Sequence, residues 1–468
     1  MRTVGGLTVA SKLASPGAIA AALIGAAVVV AALALLLRRR PEAFPLLAIL
    51  ALPFRLPIAA DGRTVNLLIP LYLVVAAGVV NWLALHLLAN GDSGQRQDGL
   101  RQGIGRETAS LRTLSGWLSP RGLELLLLAA VVLYTLQAAY STDHAKAAEN
   151  IAFFYVPFGL LFVLLRDVRW TRELLISCLV LAAGLAVLFA GVGFVEYYRK
   201  SLFLNPKVVA ANQYDNYFRV NSVFFDPSIY GRFLAIVMIM LTSVVLWARG
   251  RRNLWICAAA LAWLLAGLAT SFSQSSIAAL LLGLTVLAAY RWDVRGTLYV
   301  AVALLAIAAV VLEAAPASFH FGLTSSNNAT SGRTNLVSGG LHLFAKRPLE
   351  GYGSGSFETE YERHSRDPSA ENATSASHTI PVTVAAEQGV LGLAVYVALL
   401  IVAFTVLFRD AARAPPRIAI AASFAALVLH TWIYADFLED PLTWTLLGIG
   451  VACARAGSSL WETPVSSV

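Results

Sequence analysis

The chain has 468 residues, 58% of them hydrophobic and 13% charged, with a formal net charge of +8. Soluble domains run at about 45–50% apolar and about 25% charged, so the composition excludes an ordinary soluble globular protein. The apolar runs are continuous rather than alternating, which also excludes a transmembrane β-barrel and leaves a polytopic α-helical membrane protein.

Runs at 17–37, 44–60, 66–90, 122–140, 150–165, 173–196, 229–247, 254–270, 275–290, 297–315, 380–407, 417–434 and 441–456 are predicted to span the membrane. Arg55 and Pro57 interrupt the second run, so the expected fold class is an all-α integral membrane protein with about 12–13 transmembrane helices. The first run ends in Arg38-Arg39-Arg40 rather than a small-residue cleavage motif and reads as a retained helix. Cys178, Cys257 and Cys453 fall inside apolar runs and read as core residues, not as a disulfide or metal set.

The connections at 38–40, 91–121, 166–172, 249–252, 291–295 and 409–417 are basic, and the alternate ones are not. Lys and Arg collect in cytoplasmic loops, so these connections are expected inside. The positive charge is then topological rather than a nucleic-acid surface. The same register divides the chain into N-terminal helices over 1–315, with an extracytoplasmic loop at 197–228, a large extracytoplasmic (periplasmic) loop over 316–379, and C-terminal helices over 380–468. No internal repeat is evident, and carboxylates and lysines inside the spans are scarce, Glu387 being the clearest case. Both features weigh against an ion-coupled carrier built from inverted repeats, although a transporter or flippase of lipid-linked sugars stays the alternative.

Polar chemistry concentrates in the two outer loops. In the first, Arg219 stands among alternating aromatic and polar residues, and Arg232 lies just inside the next span. Each is either an interface anchor or a guanidinium fork for a phosphate group, which needs planar, always-charged donors. In the second, Ser331-Gly332-Arg333 begins a short helix with Leu336, Leu343 and Phe344 on one side. Arg333 at that start is placed where backbone donors also favour an anion. Gly351-Tyr352-Gly353-Ser354-Gly355 permits tight turns and close backbone approach, but lacks the Lys-Ser/Thr ending of a nucleotide phosphate loop.

His378 precedes Thr379-Ile380-Pro381, with Thr379 a fair N-cap and Pro at home in the first turn. The positive end of the helix dipole favours a neutral imidazole able to accept a proton. The other six histidines lack that context. There is no Asp-X-Asp triplet, His-Glu-X-X-His or Gly-X-Ser-X-Gly, so neither a metal nor another cofactor is expected.

These residues resemble the bacterial O-antigen ligase/polymerase superfamily of membrane glycan transferases. The resemblance is carried by Ser331-Gly332-Arg333-Thr334-Asn335-Leu336, by Pro348 through Phe357, and by His378 through Glu387-Gln388-Gly389-Val390-Leu391-Gly392. His378 and Gly389 stand at the family's His-X10-Gly spacing, and Arg219 through Gly231 is similar to an upstream Arg…Pro-Asn block. Departures are Val337, Thr379 and Ser228, and a Ser271–Ser276 segment without the basic residue often found there. The resemblance implies a metal-independent, inverting transfer from undecaprenyl pyrophosphate to a sugar hydroxyl at the outer face of the bacterial inner membrane. The acceptor is a glycan or lipid-linked sugar such as a lipopolysaccharide core, or the growing polysaccharide itself. It implies His378 as general base and Arg219 and Arg333 on the pyrophosphate; Arg232, on its own guanidinium chemistry, is expected as a further substrate contact.

Overall fold

The long apolar runs fold as helices whose ends are set by local chemistry. A computed structural model describes residues 16–60, 63–90, 114–203, 218–247, 250–292, 295–303, 306, 331–364, 377 and 379–456. The chain divides into two compact units, Met1–Gln97 and Asp98–Val468.

The first unit holds α1 (Pro16–Arg39), α2 (Ala43–Ala51), a hairpin of β1 (Leu56–Ala60) and β2 (Arg63–Leu67), and α3 (Ile69–Asn90), with α1 packed on α3. The expected span at 44–60 is corrected here: it is a nine-residue helix followed by an antiparallel strand paired from Leu56↔Leu67 to Ala60↔Arg63. Pro53 and Pro57 cannot continue a helix, and Asp61-Gly62 between Ile58 and Val65 is a two-residue hairpin signal. The chain is therefore helical apart from this hairpin among the described residues.

The second unit begins, after a short turn of helix, with α4 (Pro120–Ala138). It continues as α5 (His144–Asp167, with a π-helical turn at Ile151–Tyr155), α6 (Arg172–Arg199), α7 (Pro227–Trp247), α8 (Arg251–Thr270) and α9 (Gln274–Arg291). After the 297–315 run, of which 297–303 and 306 are described as helix, come α10 (Ser331–Lys346), α11 (Phe357–His364), α12 (Ile380–Phe408), α13 (Pro415–Ile433) and α14 (Pro441–Ala456). Ser119, Asp143, Thr171 and Ser273 each cap a helix by accepting a backbone N–H three residues on.

Among the described residues, nine helices are long and apolar enough to cross a membrane: α1, α4 to α9, α12 and α13. They coincide with nine of the expected spans. The expected span at 441–456 is helical over its described residues as α14. The chain is thus a multi-pass membrane protein.

α7 is the hub, buried against α6, α8, α9 and α13 around Phe189, Phe224, Tyr230 and Phe233. A smaller cluster of Leu343, Tyr352, Phe357, Tyr361 and Ala386, with Leu336 against it, fastens α10 and α11 to the start of α12. The two ends of the second unit differ in charge. Arg166, Arg291, Arg409 and Arg455 lie at the ends of α5, α9, α12 and α14. Arg166 and Arg455 both pair with Glu124 near the start of α4, the former at 2.7 Å. The polar cluster described next is at the other end.

Candidate functional site

α12 is broken at Gly389, whose φ of 66° and ψ of −163° interrupt an otherwise continuous helix of 29 residues. Only glycine holds that backbone region without strain. The amides and carbonyls freed by the break are taken up by the chain after α10. Val390 N–H donates to the Pro348 carbonyl at 2.7 Å, Gly353 N–H to the Glu387 carbonyl at 2.8 Å, and Tyr352 N–H to the Ala386 carbonyl at 3.2 Å. Gln137 of α4 completes the set, its Nε2 donating to the Gln388 carbonyl at 3.2 Å. A Cβ on Gly389 would collide with the Leu349 carbonyl, and one on Gly351 with the Glu387 carbonyl. The glycines therefore serve the close approach of two backbones, as the sequence suggested, and the partner is protein.

Glu387 is the clamp. Its Oε2 accepts Gly355 N–H at 2.9 Å and its Oε1 accepts Phe357 N–H at 3.1 Å. The carboxylate is 6% exposed, and two backbone donors of this kind are what a buried carboxylate needs in place of water. The other side of the loop is held by α4 and the turn after it. Ser141 Oγ donates to the Ser354 carbonyl and Ser354 Oγ to the Tyr134 carbonyl, both at 2.8 Å.

The second half of the polar end is built around the serine-rich turn between α8 and α9. Glu196, at the end of α6, draws the preceding loop down by accepting Phe203 N–H at 3.1 Å and Ser222 N–H at 2.7 Å. That places Arg219 beside the turn, where its Nε donates to the Ser271 carbonyl at 3.1 Å. Phe272 turns the chain with a φ of 47°. Ser276 Oγ then donates to the Ser228 carbonyl at 3.1 Å, and His430 Nε2 from α13 lies 3.1 Å from the hydroxyls of both Ser275 and Ser276. The segment without a basic residue of its own thus receives the Arg219 guanidinium and the buried His430 imidazole from elsewhere. His430 was not singled out by sequence, because its partners are about 155 residues away.

Arg232 is placed differently from a substrate-facing fork. It is 1% exposed, with Nη2 2.6 Å from Asp440 Oδ2, close enough for an ion pair though not aligned as a hydrogen bond. Its Nη1 reaches the Ala435 and Asp436 carbonyls at 3.3 and 3.4 Å. Asp440 also caps α14, its Oδ1 accepting Leu442 N–H at 2.8 Å. Arg232 is therefore engaged with the segment joining α13 to α14. Beside it, Tyr434 is held well above the usual phenol range, first by burial and then by the charges of Asp226 and Asp436.

Of the other expected site residues, His378 lies outside the described residues, while Arg333 is the third residue of α10, with its backbone alone described. The neighbours of His378 are tightly held. Ser377 N–H donates to Thr383 Oγ1 at 3.0 Å, and Ser377 Oγ donates to the Thr379 carbonyl at 2.8 Å. Thr379 occupies the N-cap position of α12 as expected, but its side chain makes no capping bond. Among the described residues, no three His, Cys, Asp or Glu side chains group as a metal site.

Residues 259–397 match a family model described as O-antigen ligase. The matched segment takes in most of α8, all of α9 to α11 and the broken first part of α12. The likeness to the O-antigen ligase/polymerase superfamily is thereby shown. With nine apolar helices, it supports a membrane glycosyltransferase-type role. No curated protein matches the chain.

Proposed function

We propose, from the match of residues 259–397 to the O-antigen ligase family model, that the chain is a glycosyltransferase of the bacterial inner membrane. It moves a glycan from undecaprenyl pyrophosphate to an acceptor sugar hydroxyl at the extracytoplasmic face. The observation that carries this reading is the family match, which encloses both the α8–α9 turn beside Arg219 and the break at Gly389. Sidedness is supported by charge. The basic helix ends belong inside by the Lys/Arg bias of cytoplasmic loops, and the polar end, with the start of α12, is opposite to them.

In the reaction, the acceptor hydroxyl oxygen bonds to the donor's anomeric carbon as the bond from that carbon to the pyrophosphate oxygen breaks. The hydroxyl proton passes to His378, acting as general base. The electron pair leaves on undecaprenyl pyrophosphate, whose charge Arg219 and Arg333 stabilise. One displacement inverts the anomeric centre, and none of these steps calls on a metal. Arg219 is suited to this role because its Nε bond to the Ser271 carbonyl fixes it beside the α8–α9 turn, and a guanidinium is a planar, always-charged fork of donors. Arg232 contributes indirectly, by holding the α13–α14 connection through Asp440.

Reconstituted protein given an undecaprenyl-pyrophosphate-linked glycan tests the reading. Covalent transfer to an acceptor saccharide in the presence of chelator is the expected result. A donor that crosses the bilayer chemically unchanged would establish a flippase instead. Offering lipopolysaccharide core and growing polysaccharide as competing acceptors separates ligase from polymerase.

A further inference from the structure

A cavity lies beneath the start of α12, and the transfer described above leaves it unused. It has a volume of about 70 Å3 and is enclosed by α4, α5, the first turns of α12 and the 436–439 segment. That is room for roughly five waters. Its polar lining includes Lys146, Asn150, Tyr155, Glu387, Asp436 and Glu439, with Tyr134 beside Asn150. Tyr134 and Tyr155 stack with ring centroids 4.2 Å apart.

Asn150 is the informative member. It is 3% exposed, and its Nδ2 donates to Tyr134 Oη at 2.8 Å and to Glu439 Oε1 at 3.0 Å. Its Oδ1 is buried with no donor in reach. A buried acceptor left unpaired costs about 1–3 kcal/mol, and native interiors rarely leave one so. The same cavity carries three carboxylates, Glu387, Asp436 and Glu439, against the single ammonium of Lys146, which also pairs with Glu149 at 3.1 Å. It therefore has a surplus of acceptors and asks its occupant for hydrogen-bond donors.

That chemistry selects among occupants. A phosphate brings acceptors and negative charge to a site already rich in both. A lipid chain brings no donors to the orphaned oxygen. A sugar edge brings several hydroxyls, each able to donate to an amide or carboxylate oxygen and to accept from an ammonium. The position agrees, because Ile380 and Thr383 of the first turns of α12 form part of the wall, next in sequence to His378.

We propose that this cavity is a saccharide subsite that takes the hydroxyl edge of the acceptor's terminal sugar, with Asn150 and Lys146 as its recognising groups. The proposal rests on the transferase reading for the word acceptor, and on the cavity alone for saccharide binding. Asn150 Oδ1 accepts from one hydroxyl, Lys146 Nζ donates to a sugar oxygen, and the carboxylate oxygens take the remaining hydroxyl protons.

The test uses the full chain in nanodiscs and the variants Asn150→Leu and Lys146→Met, each checked for unchanged thermal unfolding. Asn150→Ser is the substitute if Asn150→Leu does not fold. Binding of free mono- and disaccharides is read by saturation-transfer NMR, and transfer kinetics are read separately for donor and acceptor. The expected result is saccharide binding by the native protein that falls roughly tenfold in each variant, the size of one lost hydrogen bond of this kind. Acceptor KM should rise by a similar factor while donor KM stays put. Unchanged acceptor KM in both folded variants, or no saccharide binding by the native protein, would mean that the cavity holds water only and overturns the proposal. Asn150-dependent saccharide binding without any glycan transfer would uphold the subsite and sink the transferase reading instead.

Discussion

Glu387, two residues before the break in α12, holds the last glycine of the 351–355 run, accepting Gly355 N–H at 2.9 Å. The same side chain accepts Phe357 N–H at the start of α11, and its own carbonyl accepts Gly353 N–H. One residue thus fixes three points of a loop that sequence offers only as a flexible turn. A carboxylate inside an apolar span usually signals a path for ions or protons. Here its bonds go to the fold.

Glu387→Ala should leave two buried N–H groups without acceptors, at about 1–3 kcal/mol each. The expected outcome is a lowered unfolding temperature in detergent together with loss of transfer, since the loop and the start of α12 share the clamp. Glu387→Gln keeps one acceptor oxygen and should fall between the two. Native-like unfolding in Glu387→Ala would show that the clamp holds nothing.

Gly389→Ala tests the break itself. An alanine there takes on an unfavourable φ, of order 1–3 kcal/mol, and sets its Cβ against the Leu349 carbonyl. Proteolysis of the 348–356 segment should become faster than in the native chain, and Gly392→Ala is not an adequate control because it too is crowded, by the Gln388 side chain. Gly184→Ala, with open space around it, is the suitable comparison and should behave as native.

Much of this was legible from sequence, and the limits have physical causes. The continuous apolar runs located nine spans, because hydrophobicity over about twenty residues is a local property of the chain. The resemblance singled out Gly389 by spacing, and the fold supplies the reason for a glycine at that position. The hairpin at 56–67 was missed although Asp61-Gly62 stood in plain view, since the surrounding apolar run resembled a weak span. His430, Asn150 and Glu439 were not readable at all. Their roles arise from contacts across 154 to 289 positions of chain, which no local pattern encodes. Arg232 shows the converse: as a sequence feature it read as an interface anchor or a phosphate fork, and the structure buries it against Asp440.

Arg232→Ala is expected to leave Asp440 as an uncompensated buried charge, destabilising by about 3–5 kcal/mol. Pairing it with Asp440→Asn removes that charge while keeping an acceptor for the α14 cap, and should recover part of the loss. Unfolding curves of the single and double variants measure the difference. Additive losses would contradict the pairing.

Arg219→Lys separates charge from geometry. Lysine keeps the positive charge but has neither the Nε bond to the Ser271 carbonyl nor the planar fork. Transfer should fall by roughly 10²–10³, the effect of losing one donor to developing charge, with the unfolding temperature little changed. Retained activity in Arg219→Lys would reduce the residue to an interface anchor.

The most direct measurement is single-turnover transfer by purified His378→Ala with its donor prebound. A general base contributes about 10²–10⁴ in rate, so transfer should become nearly undetectable while the lipid-linked donor still binds. Full transfer by His378→Ala, with donor binding as in the native protein, would contradict the assignment of His378 and with it the proposed reaction.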